Sequence, residues 1–540
     1  MTGFLLLLRH RARRDVLQLA LWILGTVALA ASAYTGVRET FGTEQDRTAL
    51  LAAAIANPVI LLFRGLPSGS EEGAFIAFLI LPFLALLAAF MSSFLAVRHT
   101  RADEELDRAE LVAATPAGRV VPLVATVAHG VLANAVLALL VSTAFLMLGL
   151  GRGGSILVGA ASGVTGIVFL GFALLAAQLV RTARAANAVA VWAILLSYLA
   201  CGIGNALGTP RADLQAMESA PLAWFSPFGW AENTRPFDAD DPRPLVLSVL
   251  LASVCAAAAG VVQARRDLGG SLLPERLARS TATRALSGPW GLSWRLSRGA
   301  MLGWAVAGLL VGLLSTRLSD LISRIGDTIP SVQALLASLG TNGTLAQDTV
   351  TIFFTLTGVL AACAGVQTVV RARQEEVRGT AEPVRAAAVG PVRWLAGYLV
   401  IAGAAVLATV GSAIGGAILG LASLEDPDWS LAEVALIAGL GQVAAASVFG
   451  AAAAVVFVVA PRLSIAVGWT LIALATVVGL FGPLLGFPDA VVNLSPIAVT
   501  PVVAGSDVDV RGLWWLVTAA VAGTALALAL MRRRQLAPAE

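Results

Sequence analysis

RHTRADEELDRAELVAATPAGR, residues 98–119, is a strongly charged stretch between two long apolar runs, and the chain carries it twice. The second copy, residues 371–393, reads RARQEEVRGTAEPVRAAAVGPVR. At one constant offset both copies fit the pattern R-x-[DE]-E-x4-A-E-x3-A-x3-G, which begins at Arg101 and at Arg373. A repeat whose period is half the chain indicates duplication of a whole structural unit, not a solenoid of short repeats. We therefore expect two similar halves.

The composition around these loops is that of an integral membrane protein. Of 540 residues, 58% are hydrophobic and 13% are charged, which is more apolar surface than a soluble core can bury. The apolar runs approach the roughly 20 residues that a helix needs to cross a bilayer. They lack the alternating pattern of an outer-membrane barrel. The predicted fold is an all-α polytopic membrane protein with about twelve transmembrane helices in two duplicated six-helix halves.

Hydropathy places the spans and divides the chain. The twelve predicted spans are residues 16–34, 75–97, 121–148, 156–180, 186–203, 245–262, 300–314, 350–370, 395–421, 431–459, 464–485 and 513–531. We expect residues 1–263 to form the first six-span half and residues 299–540 to form the second. Residues 264–298 are predicted to be a cytoplasmic linker that ends in an interfacial helix. The first residues, FLLLLRHRARRD, match that helix and predict a short amphipathic helix lying in the inner interface.

The arginines set the expected orientation. They are enriched in alternate connections, including both copies of the charged stretch and both chain ends, whereas most of the remaining connections are richer in Asp and Glu. The bias is not absolute, since the outer segments also hold Arg38, Arg47, Arg64, Arg235 and Arg317. Because cytoplasmic loops carry an excess of positive charge, both termini are predicted to be cytoplasmic.

Several kinds of chemistry are disfavoured by what the sequence contains. A P-loop requires a lysine on the phosphates, and the sequence has no lysine, so this chain is not expected to hydrolyse ATP. The net charge of +3 is small and dispersed, which predicts no nucleic-acid partner. The three histidines and three cysteines are scattered without ligand spacing, so no metal site is predicted.

Few polar side chains fall inside the predicted spans. The candidates for a substrate pathway are His129, Asn134 and Gln442. Hydrogen bonding between neighbouring helices is an alternative role for all three. A proton-coupled transporter would need ionisable residues within the membrane, and the predicted spans are almost bare of them.

The repeated charged loop has two interpretations. It is either a solvated connection with acidic residues near a helix N-terminus, or a docking surface whose glutamates pair with basic residues of a cytoplasmic motor protein. Retention of the acidic positions in both halves favours the docking surface. The copies also differ, since Asp107 aligns with Gly379 and Leu111 with Pro383, so the equivalence of the two loops stays open.

The chain resembles the fused permease subunit of actinobacterial type-2 ABC exporters, the polyketide-antibiotic or multidrug group. The resemblance rests on the repeated loop, on ARRDLG at residues 264–269 and on WRLSRGAMLGW at residues 294–304. It implies export of amphiphilic or hydrophobic compounds, driven by a separate ATP-binding subunit, present in two copies, that holds ATP and Mg; the permease itself has no cofactor. It also implies that the loop residues contacting that subunit are Asp103, Glu104, Glu110, Glu375, Glu376 and Glu382.

Three functions follow as hypotheses. The first is an ATP-driven exporter permease in the bacterial inner membrane. The second is a proton-coupled secondary drug transporter, and the third is a membrane scaffold or sensor that transports nothing. For the first, charge reversal at Glu104 and Glu376 is expected to detach the ATPase and to leave the permease folded.

Overall fold

The computed structural model describes residues 2–56, 58–115, 118–212, 214–273, 288–326, 344–387, 389–481, 488–504, 507–509 and 511–534. The chain forms two compact units, Met1–Leu277 and Ala278–Glu540. Residues 274–287 of the predicted linker lie outside the described residues, so the three-part division of the chain stays a prediction.

The first unit contains eleven described helices, a 3-10 turn and one two-stranded hairpin. The helices are α1 (Thr2–Thr40), α2 (Glu44–Ala56), α3 (Pro58–Phe63), α4 (Glu72–Arg98), α5 (Arg101–Glu105), α6 (Arg108–Ala113), α7 (Val121–Met147), α8 (Arg152–Leu179), α9 (Ala183–Ala206), α10 (Pro227–Glu232) and α11 (Pro244–Arg265). The 3-10 turn is Pro221–Phe225. Strand β1 (Thr209–Pro210) pairs antiparallel with β2 (Met217–Glu218), with Thr209 opposite Glu218.

The second unit has six long helices like the first, but its short elements are placed differently. Its described helices are α12 (Pro289–Gly326), α13 (Leu345–Val377), α14 (Ala381–Ala386), α15 (Pro391–Ala422), α16 (Ser430–Val459), α17 (Ser464–Thr476), α18 (Asp489–Val492) and α19 (Arg511–Met531). A 3-10 turn, Pro461–Leu463, precedes α17, and a π turn, Val477–Phe481, follows it. Strand β3 (Val502–Ala504) pairs antiparallel with β4 (Asp507–Asp509).

Twelve helices of the described ranges are long and apolar enough to span a membrane, as the sequence predicts. They are α1, α4, α7, α8, α9 and α11 in the first unit and α12, α13, α15, α16, α17 and α19 in the second. The all-α polytopic fold is therefore confirmed.

The two sets of six spans pack by the same scheme. In the first unit α4 contacts α1, α7, α8 and α9, and α8 also contacts α11. In the second unit α13 makes the equivalent contacts with α12, α15, α16 and α17, and α16 contacts α19. Each span therefore has the same neighbours as its counterpart in the other unit, which is the expected result of duplicating a six-helix unit.

The first span of each unit differs from the prediction. The predicted short interfacial helices at residues 4–15 and 290–298 are not separate, because α1 runs unbroken from Thr2 and α12 from Pro289. Neither Gly nor Pro interrupts residues 4–24, so the intrahelical hydrogen bonds continue through the arginine-rich stretch. As a result Asp15, expected outside the first span, lies inside a long helix and is 2% exposed.

The proline inside α4 illustrates how a buried helix stays fully hydrogen-bonded. Pro82 has no N–H and so cannot bond to the carbonyl of Phe78. The Gly65 N–H, from the segment before α4, donates to that carbonyl at 3.0 Å. A Cβ at position 65 would lie 2.8 Å from the Phe78 oxygen, so glycine permits the approach. The chain before α4 is thereby tied to the central helix of the first unit.

Candidate functional site: two Arg–Glu–Arg triads and the loops they hold

The two charged loops adopt a similar turn. In the first unit α4 ends at Arg98 and is followed by the short helices α5 and α6; in the second, α13 continues to Val377 before the short helix α14. The turn is made by a left-handed residue in each copy, Asp107 at φ 56° and Gly379 at φ 70°. These residues occupy the same position of the repeat. Both copies therefore keep a left-handed residue at this position although the residue type changes, since Asp and Gly are among the residues that tolerate positive φ.

The first triad consists of Arg101, Glu104 and Arg266. Arg101 Nη1 lies 2.8 Å from Glu104 Oε2, and Arg266 bonds both carboxylate oxygens of Glu104. The side chains are 1%, 7% and 8% exposed respectively. Arg101 also donates to the carbonyl of Ala177 in α8, and both arginines donate to that of Gly270. The triad thus fastens α5 to the end of α8 and to the chain after α11.

The second triad consists of Arg373, Glu376 and Arg534. Glu376 Oε2 lies 3.4 Å from Arg373 Nη1 and 2.7 Å from Arg534 Nη2. The Glu376 side chain is 1% exposed, and the Arg534 guanidinium stacks 4.2 Å from the ring centroid of Phe457. Burial lowers the pKa of Arg534, and the Glu376 carboxylate opposes that shift.

The two triads are built from residues at corresponding places in the two units. In each, the arginine and glutamate of R-x-x-E lie one helical turn apart on the loop, and the third member follows the sixth span of the unit. The sequence identified Glu104 and Glu376 but not Arg266 and Arg534 as their partners. No spacing rule predicts a pair between residues so far apart in the chain.

The six acidic residues predicted at the loops therefore divide into three groups. Glu104 and Glu376 are buried in the triads, so a basic residue of a partner would have to displace Arg266 or Arg534. Asp103 is half-buried and pairs with Arg14 and Arg108 at 3.3 Å, while Glu375 is 9% exposed and lies 4.0 Å from Arg371.

Glu110 in α6 and Glu382 in α14 make up the exposed group. Apolar side chains accompany them, Leu106 and Leu111 in the first copy and Val377 in the second, which are 56%, 74% and 45% exposed. We call these five residues the loop edges. They combine exposed apolar surface with one carboxylate in each copy.

The three predicted pathway residues are buried within their own units. His129 is 2% exposed in α7. Asn134 Nδ2 donates to Ser92 Oγ of α4 at 2.8 Å, and a Cβ at Gly166 of α8 would meet its Oδ1. Gln442 Nε2 donates to Thr500 Oγ1 at 3.1 Å and packs on Gly358 of α13 in the same way. Asn134 thus bonds between two helices, whereas Gln442 bonds to the connection between α18 and β3. A role of either residue in a pathway stays a prediction.

A buried carboxyl at the opposite end of the first unit was not anticipated. Glu232, at the end of α10, is 6% exposed, and its Oε2 accepts a hydrogen bond of 2.6 Å from Asn205 Nδ2. Burial raises the pKa of Glu232 to about 7, although hydrogen bonds from Asn205 and from the Leu66 backbone act in the opposite direction. Its surroundings in the sequence, an ordinary WAEN segment, carry no signal of this burial.

This carboxyl predicts a pH dependence of stability. The pKa of Glu232 is higher in the folded protein than in the unfolded chain, so its protonated form stabilises the fold. This contribution to the free energy of unfolding is complete below pH 4.5 and is lost as the pH rises through about 7. The loss amounts to about 3 kcal/mol, from 1.36 kcal/mol per pKa unit. We expect Glu232→Gln to raise the melting temperature at pH 8 and to flatten its decline between pH 5 and 8. Thermal unfolding of the purified permease at several pH values measures these melting temperatures, with Glu71→Gln, at an exposed glutamate, as control. If the melting temperatures of wild type and Glu232→Gln changed equally with pH, Glu232 would not be the group responsible.

The twelve spans and the two triad-held loops define the chain as a polytopic permease built from two equivalent halves. Comparison with known proteins assigns the family. Residues 286–532 match the family described as "Multidrug efflux system permease Rv1217c, C-terminal domain". The chain is also 33% identical over 539 residues to the multidrug efflux system permease protein Rv1217c of Mycobacterium tuberculosis, an alignment covering 99% of this chain and 95% of the relative. The chain belongs to this family of multidrug efflux permeases and is a multi-pass protein of the bacterial inner membrane.

Proposed function

We propose that the chain is the permease subunit of an ATP-driven ABC exporter and that a separate ATP-binding subunit docks on the loop edges. Family membership supports efflux of drugs. The observation that carries the docking proposal is the exposed glutamate that both loops hold at the same position of the repeat, Glu110 in one and Glu382 in the other. Each edge sits on a turn that a buried triad fastens to two spans of its unit. A force applied to Glu110 or Leu111 is thereby transmitted through α5 to α8 and to the end of α11.

The chemistry of the loop edges specifies the partner. Exposed leucine or valine side chains with carboxylates nearby suit a groove that is apolar at its centre and basic at its rim. In the first copy Glu105 and Asp107, which are also exposed, flank Leu106. Since the permease has two such edges, we propose two copies of the ATPase for each permease. The ATP and Mg2+ belong to that subunit, because the lysine-free permease has no P-loop of its own.

The orientation follows from the same loops. An ATPase works in the cytoplasm, so the ends of the spans at Arg98 and Val377 face inward, and both chain ends face inward with them. This agrees with the excess of arginine in these connections. The cargo is proposed to be an amphiphilic or hydrophobic drug, which partitions into the inner leaflet before export.

Affinity purification of the permease from its own host tests the partnership. We expect an ATP-hydrolysing protein with a P-loop to be recovered at close to two copies per permease, and its activity to rise when an amphiphilic drug is added. A permease recovered without an ATPase, under conditions where it stays folded and exports drug in cells, would contradict the proposal.

A proton-coupled drug transporter is the second candidate, and one observation favours it. Asp15, His99 and His129 form a buried titratable cluster in the first unit, whereas the sequence had suggested spans almost without such groups. This function predicts drug transport that follows a proton gradient and needs no second protein.

A further inference from the structure

Two of the three histidines meet at a single buried carboxylate. His99 follows the last turn of α4, His129 lies in α7 and Asp15 lies in α1, so three helices contribute one side chain each. The side chains of these residues are 0%, 3% and 3% exposed. His10, the remaining histidine, is exposed and lies outside the cluster.

Both imidazoles direct the same ring nitrogen to the same oxygen. His129 Nε2 lies 3.2 Å from Asp15 Oδ2, and His99 Nε2 is in close contact with that oxygen. All three potential ligand atoms lie within 4.8 Å of one another. Ligands bound to zinc at about 2.0–2.1 Å in a tetrahedron are separated by roughly 3.3 Å. The three side chains therefore converge at the scale of a metal site.

The His99 ring lies between two carboxylates, each of which can accept a hydrogen bond. Its Nε2 faces Asp15, and its Nδ1 lies 3.8 Å from Asp103 Oδ2, so a carboxylate stands on either side of the ring. A neutral imidazole has one N–H and serves only one of two acceptors. Either a second ring proton or a cation between Nε2 and Asp15 satisfies both carboxylates. With the cation, Nε2 acts as a ligand and the Nδ1–H points to Asp103.

The groups around the cluster resemble the outer shell of a metal site. Metal-bound histidines usually offer the second ring N–H to a carboxylate. Asp103 Oδ2 is placed for this role, although at 3.8 Å it lies beyond hydrogen-bond distance of His99 Nδ1 in this structure. Arg98 Nη2 lies 3.3 Å from Asp15 Oδ1 and so holds the other oxygen of the carboxylate in place. Two further arginines lie nearby. Arg11 donates to Pro122 O, to Thr126 Oγ1 and to the backbone carbonyl of His99, and Arg14 pairs with Asp103.

A cleft opens beside His99, although neither Asp15 nor His129 lines it. This cleft, of about 610 Å3, is lined by His99 and Asp103 of the cluster's surroundings, by Arg11 and Arg14 of α1, and by residues of the charged loop. In the second unit Arg371 stands at the position of the repeat that aligns with His99.

We propose that Asp15, His99 and His129 bind one first-row divalent cation, with Zn2+ as the matching probe, and that the fourth position is left to water. Two imidazoles and a carboxylate are the ligand set of open zinc sites. The bound cation joins α1, α4 and α7 directly beside the loop that carries the first triad, and so stiffens one loop of the pair.

Metal analysis of the full-length permease tests the proposal. The protein is purified with a tag that contains no histidine, stripped with a chelator, incubated with micromolar Zn2+ and desalted. We expect about one Zn2+ per chain in the wild type and a loss of at least about tenfold in His129→Ala and in His99→Ala. Asp103→Asn keeps all three ligands and is expected to weaken Zn2+ binding by about 10–100-fold, the usual effect of losing an outer-shell partner.

The remaining histidine supplies the matched control. His10→Ala removes an exposed histidine that lines the same cleft and should retain the full Zn2+ content. Because a cluster variant could fail to fold, the melting temperature of the wild type is also compared with Zn2+ and with chelator, and a rise with Zn2+ is expected. A folded wild type that holds no Zn2+ and shows no rise would overturn the proposal, as would full retention of Zn2+ in His129→Ala.

Discussion

Truncation of Glu104 to alanine is expected to destabilise the permease by about 3 kcal/mol or more, the usual cost of removing one partner from a buried ion pair. The variant leaves Arg101 and Arg266 close together and largely buried without their shared carboxylate. Glu376→Ala is expected to have the same effect through Arg373 and Arg534. Thermal unfolding of the purified protein measures both losses.

Two comparisons make this prediction specific to the triad. Glu110→Ala removes an exposed glutamate of the same loop and should change the unfolding free energy by less than about 0.5 kcal/mol. Adding Arg266→Met to Glu104→Ala removes one of the two uncompensated charges, so the double variant should be less destabilised than the sum of the single variants. Equal melting temperatures of Glu104→Ala and Glu110→Ala would contradict the triad.

Reversal of the exposed charges, Glu110→Arg with Glu382→Arg, is the second large effect that we expect. Both residues are exposed, so the permease should remain folded, whereas a basic rim on the ATPase would face like charges. We expect drug-stimulated ATP hydrolysis and recovery of the ATPase with the permease to fall at least about tenfold, which corresponds to about 1.4 kcal/mol.

The control for this variant carries the same charge change at the other end of the spans. Glu71→Arg with Glu425→Arg replaces two exposed glutamates that adjoin α4 and α15 at the ends opposite the charged loops. Full ATPase recovery is expected there. If Glu110→Arg with Glu382→Arg also bound and stimulated the ATPase normally, the loop edges would not be the docking surface. From the sequence, charge reversal at Glu104 and Glu376 was expected to leave the permease folded. The structure changes this expectation, because both carboxylates are buried in the triads and their reversal should unfold the loops.

Sequence predicted the span architecture because a bilayer imposes a length and a polarity that each helix shows by itself. The region from Glu72 to Arg98, for example, is apolar over its whole length and ends at charged residues. The continuous start of α1 was missed because four arginines within residues 9–14 indicated an interfacial segment. A helix continues where no Gly or Pro interrupts it, as in residues 4–24, whereas hydropathy reports only where the chain meets the bilayer.

The sequence located the charged loops but did not show which of their side chains are buried. The repeat located the charged loops, yet it could not separate buried Glu104 from exposed Glu110, since both are acidic positions retained in the two halves. That distinction depends on Arg266, which the chain supplies only after four further spans. Likewise, Asp15, His99 and His129 share no helix, so spacing along the sequence could not associate them.

Drug transport in inside-out membrane vesicles that contain the permease and its ATPase tests the central claim most directly. We expect ATP to drive accumulation of an amphiphilic drug. The accumulation should persist when the proton gradient is collapsed and disappear with Glu110→Arg and Glu382→Arg. Accumulation by vesicles containing the permease alone, driven by a proton gradient and unaffected by ATP, would contradict the claim.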